Sequence, residues 1–327
     1  MAQMMFREAL RAALFEEMKR DDRVFVIGEE VGRYGGAYAV TKGLFEEFGA
    51  ERVVDTPISE ASTVGLGVGA AVTGLRPVVE LMYVDFVALA MDQIANQMAK
   101  VRYMTGGQVT VPMVLRTQGG TGRSAGAQHS QSLESWLAHV PGLRVVMPST
   151  QSDAKGLLKS AIRSDDPVVF IEHKALYALK GEVPEGEHLV PFGAANIVRA
   201  GDSLTIVTYS RMVHYAIEAA QKLAEEGIRA EIIDLRTLNP LDMDTVLASV
   251  RRTRRAIVLN EAHRTAGFCA ELAARITEET FDILEGPVVR ITAKDVPVPA
   301  TLLEKLSIPS PEEICAEART LMQRRRR

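Results

Sequence analysis

Short apolar runs alternate with amphipathic segments along the first half of the chain. The runs have the continuous apolar character of buried parallel strands, and they predict strands at residues 24–27, 77–82, 111–116, 143–147 and 168–171. The segments between them carry apolar residues at helical spacing, and they predict helices at residues 6–19, 41–48, 85–103 and 152–163. This alternation predicts an α/β fold in which helices cover both faces of a parallel sheet.

The same alternation restarts in the second half. It predicts strands at residues 203–209, 230–235, 256–260 and 288–292, and helices at residues 212–226, 267–281 and 312–322. Residues 178–201 are rich in glycine, proline and charge and have little periodicity, which is typical of a linker. We therefore predict a first domain over 1–180, a linker over 181–200 and a second domain over 201–327. The basic terminus at 324–327 is predicted to be disordered.

Composition places the chain among globular proteins that act in the cytoplasm. Hydrophobic residues make up 47% and charged residues 24% of the 327 positions. The formal net charge of −4 gives no indication of nucleic-acid binding. We find no apolar run of membrane-spanning length and no secretory signal at the N-terminus. The two cysteines form neither a disulfide framework nor a zinc motif, which predicts a reducing compartment.

Residues 53–60 place a carboxylate where α/β proteins bind ligands. A strand is predicted to end at Val54, and Pro57 favours extended backbone just before it. Ser59 is a candidate N-cap for the small, apolar run at 61–71, which predicts a buried helix. Glu60 would then lie at a helix N-terminus beyond the carboxyl end of a strand. A solvated first-turn acid is the alternative, and this stretch alone favours it.

Two further positions could carry chemistry. His129 lies in a long, glycine-rich polar loop at residues 118–132, where it could act as an acid or base, although a lone histidine is more often structural. Phe86 follows a predicted strand end, where an aromatic ring can stack on a planar ligand or simply join the core. The six histidines show no zinc-type spacing, so we predict no metal site on this chain.

Glycines at residues 65–69 fit a loose dinucleotide fingerprint. They fall several residues inside a predicted helix and not in a strand-to-helix turn, and the acidic residue expected further on would be Asp85. Close helix packing explains these glycines better than a dinucleotide site.

A set of motifs in fixed order resembles one enzyme family. The motifs are DTPISE at 55–60, GLRP at 74–77, ELMYVDF at 80–86, DQ at 92–93, AQHSQ at 127–131, PGLRVV at 141–146, DAKG at 153–156 and DLRT at 234–237. Together they are similar to the β subunit of the thiamine-diphosphate-dependent E1 component of pyruvate, branched-chain 2-oxo acid and acetoin dehydrogenase complexes. The resemblance runs over nearly the whole chain, and the set is highly specific.

The resemblance implies roles for individual residues. Glu60 would hydrogen-bond N1′ of the cofactor's aminopyrimidine and favour the imino tautomer, whose N4′ removes the C2 proton of the thiazolium. Phe86 would pack on the pyrimidine, and Ile58 and Met82 would also contact the cofactor. His129 would lie near C2 and assist proton transfer or orient the substrate or the incoming lipoyl group.

The resemblance also implies that this chain holds only part of the site. The family's Gly-Asp-Gly motif for Mg²⁺ and diphosphate is absent here, because Gly201-Asp202 is followed by serine. In the family that motif lies on an α subunit, which implies an α₂β₂ heterotetramer that acylates the lipoyl group of an E2 acyltransferase. The implied fold is a transketolase-like pyrimidine-binding domain followed by a transketolase C-terminal-like domain. Some members bind structural K⁺ through carbonyls in the region of residues 161–166.

Alternative functions differ in what they require. A dinucleotide-dependent oxidoreductase needs a true dinucleotide turn, and a scaffold that has lost its site predicts replacement of Glu60, Phe86 or His129. All three residues match the family. The segments at 80–86, 170–174, 181–185 and 211–214 most resemble the pyruvate and acetoin members, so these two substrates come before branched-chain 2-oxo acids. Pyruvate and acetoin stay together as candidates, because part of the substrate pocket would lie on the α chain.

Overall fold

The computed structural model of the protein describes residues 1–324. Contacts between Cα atoms divide the chain into two compact units, one formed by residues 1–119 and 136–192, the other by residues 120–135 and 193 onward. The segment 120–135 thus belongs with the second unit, although it lies within the first half of the sequence. The domain limits at 180 and 201 stay a prediction. The predicted disorder at 324–327 falls, beyond Arg324, outside the described residues.

The secondary structure alternates as the pattern predicts. The strands are β1 (Ala2–Met5), β2 (Val24–Gly28), β3 (Val53–Asp55), β4 (Arg76–Leu81), β5 (Val114–Gly119), β6 (Arg144–Val146), β7 (Val168–His173), β8 (Lys180–Val183), β9 (Asn196–Arg199), β10 (Leu204–Thr208), β11 (Ala230–Asp234), β12 (Thr237–Asn239), β13 (Ala256–His263) and β14 (Val289–Ala293). The α-helices are α1 (Phe6–Arg20), α2 (Leu44–Phe48), α3 (Glu60–Val72), α4 (Val101–Met104), α5 (Glu134–Ala138), α6 (Gln151–Arg163), α7 (Met212–Glu225), α8 (Met243–Thr253), α9 (Phe268–Thr280) and α10 (Pro311–Gln323).

The first unit is built on a parallel sheet. Over residues 1–119 and 136–192 its strands lie in the order β6-β7-β5-β4-β2-β3, and every pairing is parallel. Strands β2, β5 and β7 are buried along their whole length, as their continuous apolar sequences predict. Helices α1 and α6 pack on one face, and α3 packs on β4. The parallel arrangement brings the carboxyl ends of β2, β3, β4 and β5 to one edge.

The second unit repeats this architecture. In residues 193–324 the strand order is β14-β13-β10-β11-β9, parallel except for the antiparallel edge strand β9. Helices α7 and α10 pack together and bury Leu204, Ile206 and Ile257 beneath them. The α/β fold with two parallel-rich sheets, predicted from the pattern, is confirmed.

The single long helix predicted at residues 85–103 is wrong. The chain forms a 3₁₀-helix at Val84–Ala90, a π-helix at Gln93–Met98 and the short α4. In the first piece Val84, Val87 and Ala90 are buried at a spacing of three, which suits a 3₁₀-helix and not an α-helix. The change in period divides the segment.

The predicted linker at 178–201 also holds regular structure. Strand β8 pairs antiparallel with β1, and β9 joins the second sheet. Neither strand has a local signal, because each is stabilised by a partner distant in sequence. The helix predicted at 41–48 begins only at Leu44, because Gly43 has a left-handed φ of 87°.

Helix α3 is only half-buried in this chain, so the prediction of a buried helix is wrong. Its inner face buries Val64, Gly67 and Val68, whereas Leu66 is 54% exposed. Ser59 occupies the N-cap position but makes no capping bond, and its hydroxyl donates to Ser62 Oγ at 2.8 Å. The dinucleotide alternative loses its turn, because the glycines at 65–69 lie within the helix.

Only one of those helix glycines is required by packing. A Cβ at Gly67 would lie 2.5 Å from Val79 Cγ2 and 3.0 Å from Met113 Cε, whereas a Cβ at Gly69 meets nothing within 4 Å. We expect Gly67→Ala to lower the free energy of unfolding by about 1–3 kcal/mol through overpacking. Gly69→Ala is the matched control, and it should be neutral or stabilising by up to ~1 kcal/mol. Denaturant unfolding of the isolated chain measures both; equal effects would contradict this account.

Candidate functional site

Glu60 lies at the predicted place, as the first residue of α3 beyond the carboxyl end of β3. Its side chain is half-buried. It lines a narrow cleft together with Glu29, which follows β2, and with Thr63, Val64, Val79, Glu80 and Leu81. The cleft is too narrow to enclose a small molecule, so what it can contact is indicated by its lining and not by its volume.

The electrostatics of this cleft favour the protonated form of Glu29. Burial raises the pKa of the Glu29 carboxyl, and the negative charges of Glu60, Glu30 and Glu80 raise it further. Sequence reasoning missed Glu29, because its closeness to Glu60 depends on the pairing of β2 with β3. The available signal was the Gly28-Glu29-Glu30 sequence at the end of a buried strand.

Asp55, the first residue of that motif, has a structural task. Asp55 Oδ1 accepts a hydrogen bond from the backbone of Gly32 at 2.7 Å, which ties the glycine-rich loop after β2 to the end of β3. A Cβ at Gly32 would lie 2.5 Å from Asp55 Oδ2, so this close approach requires glycine. Ile58, between these strands and α3, is 78% exposed.

Met82 and Phe86 lie beyond the end of β4, at the same sheet edge as Glu60. Both are half-buried. Phe86 sits in the first turn of the 3₁₀-helix, where its backbone N–H donates to the carbonyl of Tyr83 at 3.0 Å. The Phe86 ring centroid lies 6.4 Å from that of Tyr83.

His129 lies in the second unit, whereas Glu60 lies in the first. Its side chain is half-buried in a loop closed at its base by a bond from Gly120 N to Gln131 O of 2.9 Å. The start of the loop is fixed by Thr121, whose backbone donates to Glu261 Oε1 at 2.6 Å and whose hydroxyl accepts from Arg211 at 2.8 Å. The loop is thus anchored by residues 90 and 140 positions away.

A buried acid holds the other end of that loop. Glu134 Oε1 accepts a hydrogen bond from the Tyr209 hydroxyl at 2.8 Å. The Tyr209 hydroxyl oxygen accepts in turn from Asn260 Nδ2 at 3.0 Å. Burial raises the pKa of the Glu134 carboxyl and raises that of Tyr209 well above its usual range. These residues carried no recognisable sequence signal.

Both units match known domains. Residues 2–180 match the transketolase pyrimidine-binding domain, and residues 193–314 match the transketolase C-terminal domain. The chain is 50% identical over 317 residues to the pyruvate dehydrogenase E1 component subunit beta-1 of Arabidopsis thaliana mitochondria, covering 95% of this chain and 87% of that protein. The chain belongs to the E1 β-subunit family.

The relatives of this E1 β-type chain are named for more than one enzyme activity. It is 48% identical to the acetoin:2,6-dichlorophenolindophenol oxidoreductase subunit beta of Cupriavidus necator, covering 96% of each chain. A structure described as a split gene transketolase, inactive beta4 tetramer, has a TM-score of 0.81 at 22% identity over 99% of both chains, which supports the fold.

The lining of the cleft in this E1 β-type chain suits one part of thiamine diphosphate. None of its lining residues is basic, and three of them, Glu29, Glu60 and Glu80, are acids. Such a lining repels a diphosphate but suits a heteroaromatic ring that carries ring nitrogens. In residues 1–324 no group of three or more His, Cys, Asp or Glu side chains is suited to a metal ion.

The region implied for potassium already holds a cation. Arg76 Nη1 donates to the carbonyl oxygens of Ile162 and Ser164, each at 3.0 Å, and Arg76 Nη2 pairs with Asp165 at 2.5 Å. A K⁺ ion at these carbonyls would face the guanidinium charge. These two oxygens therefore do not fit a potassium site.

Proposed function

We propose that this chain supplies the aminopyrimidine half of the thiamine-diphosphate site in an E1 enzyme of the 2-oxo acid dehydrogenase type. The observation that carries the proposal is the acidic cleft at Glu60, at the carboxyl edge of the sheet, in a chain of this family. Bound thiamine diphosphate would supply the carbanion that cleaves pyruvate or acetoin. CO₂ from pyruvate or acetaldehyde from acetoin would leave. The remaining two-carbon unit would be oxidised by the lipoyl disulfide of an E2 acyltransferase, which would be reduced and would take up the acyl group as a thioester.

The chain's own residues would have separate tasks. Glu60 would hold a proton at the ring nitrogen N1′, and Glu29, with its raised pKa, would help to keep that proton in the cleft. Phe86, Met82 and Ile58 would contact the ring. His129 would orient the substrate or move a proton near the reacting carbon.

The other half of the site would come from an α chain. We assign the diphosphate and Mg²⁺ to that partner, in an α₂β₂ heterotetramer, since the cleft described here has no cationic lining. Pyruvate and acetoin are the favoured substrates because relatives at 48–50% identity bear both names. We assign the chain to the cytoplasm, and no helix in the described part is long and apolar enough to cross a membrane.

Calorimetric titration with thiamine diphosphate and Mg²⁺ tests the split site. We expect tight binding when the chain is co-expressed with its α chain, and no tight binding to this chain alone. The co-expressed preparation can then be offered pyruvate, acetoin and branched-chain 2-oxo acids. Tight binding to the isolated chain would overturn the division of the site, and no binding to either preparation would favour a scaffold role.

A further inference from the structure

Phe86 is the last member of a row of aromatic rings in the first unit. Ring centroids lie 6.4 Å apart between Phe86 and Tyr83, 6.2 Å between Tyr83 and Tyr38, and 4.7 Å between Tyr38 and Tyr177. The last pair is stacked, with an interplanar angle of 28°. We call Tyr83, Tyr38 and Tyr177 the tyrosine row. Such pairs have preferred geometries, so each ring restricts the next.

The far end of the tyrosine row is fixed by a buried ion cluster. The Tyr177 hydroxyl donates to Glu172 Oε2 at 2.5 Å, and Glu172 accepts two bonds from Arg116, one of them from Nη2 at 3.0 Å. Arg116 also pairs with Glu80 on the neighbouring strand. Arg116 and Glu172 are only 1% exposed. A doubly bonded Arg–carboxylate pair has fixed geometry, so Tyr177 cannot swing away.

The near end of the row holds Phe86 through both ring and backbone. The Tyr38 hydroxyl donates a hydrogen bond to the Tyr83 hydroxyl at 3.3 Å, and Lys174 Nζ lies 5.0 Å from the centroid of the Tyr83 ring. Tyr83 is thereby fixed on two sides. Phe86 contacts the Tyr83 ring and also donates its backbone N–H to the Tyr83 carbonyl.

We propose that Tyr38 and Tyr83 are positioning residues that set the orientation of Phe86 against the planar ring of the cofactor. The proposal rests on the proposed function, because it takes Phe86 as a residue that packs on that ring. Phe86 is half-buried, so part of its side chain is accessible to a cofactor. The orientation of its ring is therefore set from the protein side, by Tyr83 and, through Tyr83, by Tyr38.

The test compares cofactor affinity with the stability of the same protein. The chain and its variants are co-expressed with the α chain, titrated with thiamine diphosphate at saturating Mg²⁺, and melted without cofactor. Tyr38→Leu removes the stacked ring, whereas Tyr38→Phe keeps the ring and loses only the hydroxyl. Phe15→Leu is the matched control, since Phe15 is also half-buried and lies 5.3 Å from another ring, that of Phe48, outside the row.

We expect Tyr38→Leu to raise the dissociation constant of the cofactor about tenfold, and Tyr38→Phe to stay within about twofold of the parent. Phe15→Leu should lower the melting temperature without changing the dissociation constant. If Tyr38→Leu does not fold, Tyr38→Met, which keeps more of the volume, takes its place with the same expectation.

An unchanged dissociation constant together with a lower melting temperature would overturn the inference and leave the proposed function intact. Failure of the parent assembly to bind thiamine diphosphate would overturn both.

Discussion

Glu60→Gln is expected to reduce the turnover of the assembled enzyme by at least about 100-fold, close to 3 kcal/mol of transition-state stabilisation. Glutamine has the size of glutamate and keeps a hydrogen-bonding group at the mouth of α3. It cannot exchange a proton, and the cleft that Glu60 shares with Glu29 is suited to hold one. The loss should therefore appear in kcat, with the dissociation constant of thiamine diphosphate changed only a few-fold.

The matched control for this variant is Glu46→Gln. Glu46 is also an acid in the first turn of a helix, α2, but its side chain is exposed and is not part of the cleft at Glu60. Its replacement should leave turnover unchanged. Near-full turnover of Glu60→Gln with the natural substrate would refute the role of Glu60 in proton transfer and restore its interpretation as a solvated first-turn acid.

Arg116→Met is expected to destabilise the first unit by about 3–5 kcal/mol. The guanidinium is 1% exposed and pairs with both Glu80 and Glu172, so its removal leaves two buried carboxyl groups without their counter-ion. The size of the loss reflects uncompensated burial and not the net contribution of the ion pairs. Chemical denaturation followed by circular dichroism measures it.

An exposed ion pair gives the comparison for Arg116. Arg229 pairs with Asp202 on the surface, with side chains 68% and 50% exposed, and Arg229→Met should leave the midpoint of unfolding nearly unchanged. The midpoint of unfolding of Arg116→Lys should lie between those of Arg116→Met and Arg229→Met. An ammonium group keeps the positive charge but cannot bond to both carboxylates as the planar guanidinium does. Equal midpoints for Arg116→Met and the parent would show that the cluster tolerates neutralisation.

Local pattern was sufficient for the strands and helices that carry their own periodicity. The runs at β2, β5 and β7 are continuous and apolar because each strand is covered on both faces, and α7 buries residues at helical spacing. Strands β1 and β8 were missed because their register joins residues nearly 180 positions apart. The break in the helix predicted at 85–103 depends on burial at a spacing of three, which hydrophobicity alone does not distinguish from a spacing of four.

In the candidate site, too, some features follow from local sequence and others depend on residues distant in sequence. The position of Glu60 follows from a strand, a proline and a helix start within eight residues, so the sequence is enough to predict it. The tyrosine row and the Arg116 cluster join side chains from several separate segments, and each tyrosine alone is an ordinary core residue. Family resemblance could point to Phe86, but only the structure shows which rings contact it.

The allocation of residues 120–135 to the second unit has a consequence for dividing the gene. One cut near residue 192 would yield a first fragment that still carries Gly120 to Ser135, including His129, without the Glu261, Arg211 and Tyr209 side chains that anchor it. The second fragment would retain those anchors with no loop to hold. To express the two units from separate genes, residues 120–135 would have to be moved into the gene for the second unit. Each unit is compact in space, but their residues alternate along the sequence.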